Sequence, residues 1–316
     1  MPGWSATSPS SPWISTAPAP TPRAHSQPMQ TMGAATELAV FDGARDAYTA
    51  AIQETPAEAL AYLRPGDDYS LGGLTVHVNY VLEHYLGVLR AMQAAEFAEC
   101  RPEDPPGLEE TALRRARAGL TKAEVDSELE LTSRLHGEVA DLVTGMDPIT
   151  RTAPVWYPGG KEVYPTSGAD ILGWLTGHYR EHIPHVGSLT EAWRRDTETA
   201  ASVAVVERFN QAFGSGDVDA ILALMTDDCI FENTFPAPDG ERVVGQAAMR
   251  QFCETFFSGT DKPRFSTEEI FAAGDRVITR WRFDWGEGES GGHVRGVDVN
   301  RVRDGKVAEK LAYVKG

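Results

Sequence analysis

The chain has 316 residues, 41% of them hydrophobic and 24% charged, which is enough for two globular domains. Its 46 acidic residues against 29 basic ones leave a formal net charge of -17. That charge repels phosphate backbones and argues against a nucleic-acid partner, and no apolar run is long enough to span a bilayer.

Residues 1–36 are rich in Pro, Ser, Thr and Ala and contain no acid; they are read as a disordered tail. Residues 37–199 follow a helical period. Apolar residues recur three and four apart in "ELAVFDGARDAYTAAIQETPAEALAYL", in "LGGLTVHVNYVLEHYLGVLRAMQAAEFAEC" and in "TKAEVDSELELTSRLHGEVADLVTGM". "SGADILGWLTGHYREHIPHVGSLTEAWRR" is a fourth such stretch, with Ser167 as N-cap and Asp170 three residues on. The Pro- and Gly-containing segment before it reads as a long loop. Four amphipathic helices without strands predict a four-helix bundle.

Residues 200–316 change character. A helix, a second one capped by Asp217 and a third in "GQAAMRQFCETFF" precede alternating β-type runs, with "AAGDR" and "RDGKV" as hairpin turns. This is an α+β pattern. The boundary between the two halves is placed at about 196–202, in "DTETAAS". Cys100, Cys229 and Cys253 are odd in number and widely spaced, so neither a disulfide framework nor a thiolate metal site is expected, and a cytoplasmic location fits.

Three of the eight histidines fall in "HYREHIPHV". His178 and His182, four apart, share a helix face. His185 extends that face only if the helix survives Pro184, and a kink is expected at 180–184. His77 and His84 lie two turns apart in the second helix. Two imidazoles from one helix and one from a facing helix match the three-ligand pattern of an open metal site, although most such histidines are polar trim.

The spacing of "LTVHVNYVLEH" and "GHYREHIPH" resembles the DinB-like superfamily of four-helix bundles over about residues 37–195. The resemblance implies a divalent metal (zinc, nickel or iron) on His77, His178 and His182; face geometry, with Pro184 disturbing the turn before His185, leaves His84 and His185 out. It also implies thiol-dependent S-transferase, isomerase or hydrolase chemistry with a low-molecular-weight thiol. Tyr69 stands where the family usually carries a Trp-containing turn. Glu181 and Glu83 are candidate supporting groups, and equally ordinary surface charges.

"VERFNQAFGSGDVDAILALMTDDCIFENTFP" and "RGVDVNRVRDGKVAEKLAYVKG" resemble the SnoaL-like branch of the NTF2-like fold, which implies a curved sheet forming a cone around a pocket. Aligned on ketosteroid isomerases of that fold, Phe209 takes the place of the donor Tyr and Asn233 that of the base, while Asp298 keeps the oxyanion acid. Phenylalanine cannot donate and asparagine cannot accept a proton as a base, so isomerase activity is not expected. Asn233, Asp298, Asn300, Phe209 and Trp281 are the expected pocket residues. Relatives pair through the open sheet face, which implies a homodimer. Three functions follow: a metal-dependent enzyme with a small-molecule-binding partner domain, a non-catalytic binding or sequestering protein, and a cyclase or hydratase resting on Asp298.

Overall fold

The computed structural model describes residues 33–157, 162–288 and 291–315, and these fall into two compact units divided between Glu191 and Ala192. All of the expected tail except its last four residues lies outside the described residues; Ala34 already opens the first helix.

The first unit is helical. Helix α1 (Ala34–Gln53) buries Phe41, Ala44, Tyr48 and Ile52 at spacings of three and four. It stops three residues before Pro56 and gives way to a short 3-10 turn at Ala57–Ala59, so it is shorter than its apolar period suggests. Helix α2 (Gly73–Ala94) is buried on most sides, as a central helix must be. Its start abuts the end of α3 (Leu108–Arg117): a Cβ on Gly73 would stand 1.9 Å from the Ala116 carbonyl oxygen. Helix α4 (Lys122–Thr144) opens with a capping box, in which the Thr121 amide donates to Glu124 Oε2 at 2.8 Å and the Glu124 amide to Thr121 Oγ1 at 3.3 Å.

Two elements depart from the sequence expectation. Helix α3 carries five charged residues among its ten, too few apolar positions to show a stripe. The presumed loop holds a hairpin of β1 (Thr152–Val155) and β2 (Tyr164–Ser167), so the bundle is not free of strands.

Helix α5 (Gly168–Ser215) begins at the Ser167–Asp170 cap: the Ser167 amide donates to Asp170 Oδ2 at 2.9 Å and the Asp170 amide to Ser167 Oγ at 3.2 Å. It runs through Pro184 and through 196–202 without interruption. Helical hydrogen bonding thus continues past the Pro184 turn and through the expected boundary region. Pro184 and Arg180 are exposed, so the carbonyl that loses its amide partner can turn to water. The two compact units therefore meet inside a helix, with Glu191 in one and Ala192 in the other.

The second unit contains the end of α5, α6 (Val218–Ala223), α7 (Gln246–Gly259) and a six-stranded sheet. Its strands are β3 (Met225–Glu232), β4 (Arg242–Val244), β5 (Arg264–Ala273), β6 (Arg276–Trp285), β7 (Gly292–Arg303) and β8 (Lys306–Val314), in the order β4-β3-β8-β7-β6-β5. Pairing is antiparallel except between β3 and β8. Gly274 and Gly305, at φ of 62° and 70°, make the two hairpin turns anticipated from sequence. Phe209, Ile221, Met225, Met249, Cys253, Val277 and Val307 form the core between helices and sheet.

Candidate functional site

In the first unit, α2 contributes His77 and α5 contributes His178 and His182. One nitrogen from each lies within 4.8 Å of the others. The ring centroids stand 4.5 to 5.0 Å apart. Donors at about 2 Å from one tetrahedral ion sit about 3.3 Å from each other, so closure calls for the nitrogens to draw together by up to about 1.5 Å through side-chain rotation. His77 and His182 are buried and His178 is half-buried. Both ring nitrogens of His182 and Nε2 of His178 are buried without a hydrogen-bond partner among the described residues.

Burial, reinforced by the neighbouring imidazoles, pushes His77 and His178 down to about 3 and His182 down to about 2. All three are therefore neutral at pH 7, the state in which imidazole offers a lone pair to a metal. Tyr69 stacks on His77 at 5.0 Å and meets His182 and His185 edge-on, so the residue that departs from the family pattern touches the cluster.

The remaining histidines of the unit have other roles. His185 stacks on His182 and lies 4.0 Å from Asp67. His84 Nδ1 is bonded to Asp104 at 2.9 Å. His136, to which the sequence pattern gives no prominence, bridges Asp42 and the Tyr179 hydroxyl and stacks on Phe41. Glu181 is exposed; Glu83 is half-buried and its carboxyl is raised by desolvation and by Glu128.

In the second unit, a cavity of about 390 Å³ is lined by residues of α5, β5, β6, β7 and β8, among them Asn210, Phe213, Phe265, Thr279, Trp281 and Asp298. A smaller one of about 70 Å³ shares Phe213, Phe265, Trp281 and Lys310 with it and adds Asn233. Of the five expected pocket residues, the structure sets Asp298 and Trp281 on the larger cavity and Asn233 on the smaller. Phe209 and Asn300 line neither: Phe209 is packed into the core, and Asn300 is turned inward with Nδ2 donating to the Val277 carbonyl at 3.3 Å.

The group that sequence reasoning misses is Lys310. Its side chain is buried, with Nζ 2.9 Å from Asp298 Oδ1 in an ion-pair contact rather than an aligned hydrogen bond, and 4.8 Å from the centre of the Phe231 ring. Register explains the meeting, since Asp298 pairs with Ala312, two residues beyond Lys310 on the same face. The inward alternation of Lys310 and Ala308 in "KVAEKLAYV" carries the signal, but a lysine in that pattern reads as the solvent side.

The DinB superfamily matches residues 40–186 and the SnoaL-like domain matches residues 206–310. The chain joins a DinB-superfamily region to a SnoaL-like, NTF2-like domain. Among solved structures, an NTF2-like protein of unknown function from Mesorhizobium loti is 39% identical, covering 37% of this chain and 93% of its own, with a TM-score of 0.33. An LEH-like epoxide hydrolase from M. tuberculosis is 23% identical over 37% of this chain and 85% of its own, with a TM-score of 0.33. Bal32a, from a soil-derived mobile gene cassette, is 19% identical over 37% and 91%, again with a TM-score of 0.33. No curated protein matches the chain. Among the described residues, no helix of this DinB–SnoaL chain is long and apolar enough to cross a membrane.

Proposed function

We propose that the DinB-like region is a metal-dependent enzyme of the S-transferase or hydrolase type and that the SnoaL-like domain holds a small molecule. The observation that carries the reading is the convergence of His77, His178 and His182 in a cluster in which His178 Nε2 and both ring nitrogens of His182 are buried with no hydrogen-bond partner among the described residues. Such orphaned nitrogens are costly unless something absent from the protein itself meets them. Three neutral imidazoles suit zinc, nickel or iron(II). When bound, such an ion lowers the pKa of a thiol or water and readies it as a nucleophile. The chain's own part is to present three lone pairs from two helices and to keep the surroundings dry.

A proton-release measurement tests the reading. A low-molecular-weight thiol added to metal-loaded protein should release a proton that the chelator-stripped protein does not. Equal release in both removes the thiol.

We also infer that residues 37–199 and 200–316 act as separate functional parts, in a reducing cytoplasm. The free, buried state of Cys100, Cys229 and Cys253 supports that compartment. The sheet supports pairing with a second copy: Phe271, Ile278, Val299 and Leu311 stand side by side across four strands on the face opposite Lys310, and Phe271 is 53% exposed. A second reading, small-molecule binding without metal chemistry, is favoured by the closed Asp298–Lys310 pair in the cavity wall.

A further inference from the structure

His84 takes no part in the triad, yet its side chain is buried, at 4% exposed. Nδ1 lies 2.9 and 3.0 Å from the two carboxylate oxygens of Asp104. A carboxylate only accepts, so Nδ1 carries the ring proton and Nε2 presents its lone pair. That second nitrogen is buried with no hydrogen-bond partner among the described residues.

The chain fixes both Asp104 and the walls around His84. Asp104 stands in "RPEDPPG", where Pro105 holds it in extended backbone. Just before it, the Cys100 amide donates to the Pro154 carbonyl at 3.0 Å and the Trp156 amide to the Cys100 carbonyl at 2.9 Å. Trp156 Nε1 adds a bond to Glu99 at 2.9 Å. The same stitching sets the next residue, Tyr157, beside His84, with 6.3 Å between ring centres. Tyr85 from α2 and Trp174 from α5 close the circuit: ring centres stand 5.1 Å apart for His84 and Tyr85, 5.7 Å for Tyr85 and Trp174, and 6.4 Å for Trp174 and Tyr157. The Tyr157 hydroxyl is bonded to Thr166 Oγ1 at 2.9 Å, so this residue offers the cluster its ring. Tyr157 and Trp174 are half-buried, which brings the circuit to the surface.

The electrostatics of the cluster favour positive charge. A lone pair on Nε2 calls for a donor. Aromatic faces are the negative side of the ring quadrupole and attract a cation within about 6 Å. Asp104 places a carboxylate behind the imidazole. Burial holds the Tyr157 hydroxyl above its ordinary range, and Asp170 adds to the rise. The whole chain, at -17, draws cations rather than anions.

We propose that His84, Asp104, Tyr85, Tyr157 and Trp174 form a second binding site in the first unit, for a protonated primary amine carried on a flat apolar body. An ammonium N–H donates to His84 Nε2, and the charge rests against the tyrosine and tryptophan rings. This site goes beyond the metal reading and does not depend on it.

Four naphthalene probes test the proposal on the full-length protein: 2-naphthylmethylamine, its trimethylammonium analogue, the alcohol 2-naphthylmethanol and the anion 2-naphthoate. The amine should bind roughly tenfold more tightly than the quaternary ion, the effect of one charge-assisted hydrogen bond, and more tightly than the alcohol, with naphthoate weakest. The 15N resonance of His84 Nε2 should move further with the amine than with the quaternary ion. His84→Leu removes the acceptor and should erase the preference for amine over quaternary ion. Trp174→Leu should weaken both cations. His178→Ala should leave the preference in place. Equal binding of amine and quaternary ion, or an unmoved Nε2 resonance, overturns the acceptor role of His84. Tighter binding of the alcohol or of naphthoate overturns the charge argument. Loss of the preference in His178→Ala puts the amine on the triad and overturns a separate site. Failure of all four probes to bind overturns the proposal, while metal content, measured separately, still tests the triad.

Discussion

The two units each bury a cluster of polar side chains, and the clusters differ in whether they compensate themselves. In the second unit, Asp298 and Lys310 meet at 2.9 Å and cancel each other's charge inside the protein. In the first, His178 Nε2 and both nitrogens of His182 are buried with no hydrogen-bond partner among the described residues. Burying a polar group without a partner costs on the order of 1–3 kcal/mol, so three converging imidazoles with orphaned nitrogens point to a ligand, while Asp298 and Lys310 balance each other's charge even though Asp298 Oδ1 lacks an aligned hydrogen bond. That contrast supports a metal in the first unit and makes the pair a fixed wall in the second.

Acid should break the contrast most strongly. The folded pKa values of about 3, 3 and 2 for His77, His178 and His182 lie below the ordinary value of 6.5. The unfolded chain therefore takes up protons first as pH falls below 6.5. Stability present above 6.5 is lost progressively towards 3, at up to about 1.4 kcal/mol per pH unit for each site. Metal-stripped protein should unfold in mild acid, at a higher pH than a variant with all three histidines replaced by Gln. Circular dichroism against pH checks this, and superimposable acid transitions would count against the buried neutral triad.

Breaking the ion pair comes next. Asp298→Leu leaves Lys310 buried and alone and should cost about 3–5 kcal/mol, while adding Lys310→Met should restore most of it. Urea unfolding of the two variants reports the difference; no recovery in the double variant would mean that the pair is not self-compensating.

The triad should respond in the opposite direction. In chelated protein, His182→Leu removes two unsatisfied nitrogens and should stabilise by about 1–3 kcal/mol, whereas with metal present it should destabilise. Thermal melts with and without chelator read the change of sign, and a loss in both conditions would make His182 an ordinary packing residue. The smallest expected effect on folding is Val299→Glu on the outer sheet face, within about 0.5 kcal/mol for the monomer. It should nonetheless convert a dimer to a monomer by sedimentation, and an unchanged assembly would move the interface elsewhere.

What the sequence reveals follows the same division. A helix face is fixed by spacing alone, so His178 and His182 at four apart, and His77 early in the neighbouring helix, are legible from their positions in the chain. A sheet partner is fixed by register, which spacing does not encode; Lys310 meets Asp298 only because β7 and β8 pair Asp298 with Ala312. Alignment on isomerases assigns Phe209 to the pocket, yet it is core because its helix face turns to Ile221 and Val277 rather than to the cavity. Pro184 removes one backbone bond from α5 without ending the helix, because a lost backbone bond is costly only where water cannot replace it, and that turn is exposed.

The most direct measurement is the metal content of the full-length protein as purified, alongside His77→Ala, His178→Ala and His182→Ala. The account predicts close to one divalent ion per chain, retained through gel filtration in the parent and lost in each variant with the fold intact by circular dichroism. A folded parent that carries no metal and takes up none of zinc, nickel or iron(II) after chelation, or variants that keep the ion, would contradict it.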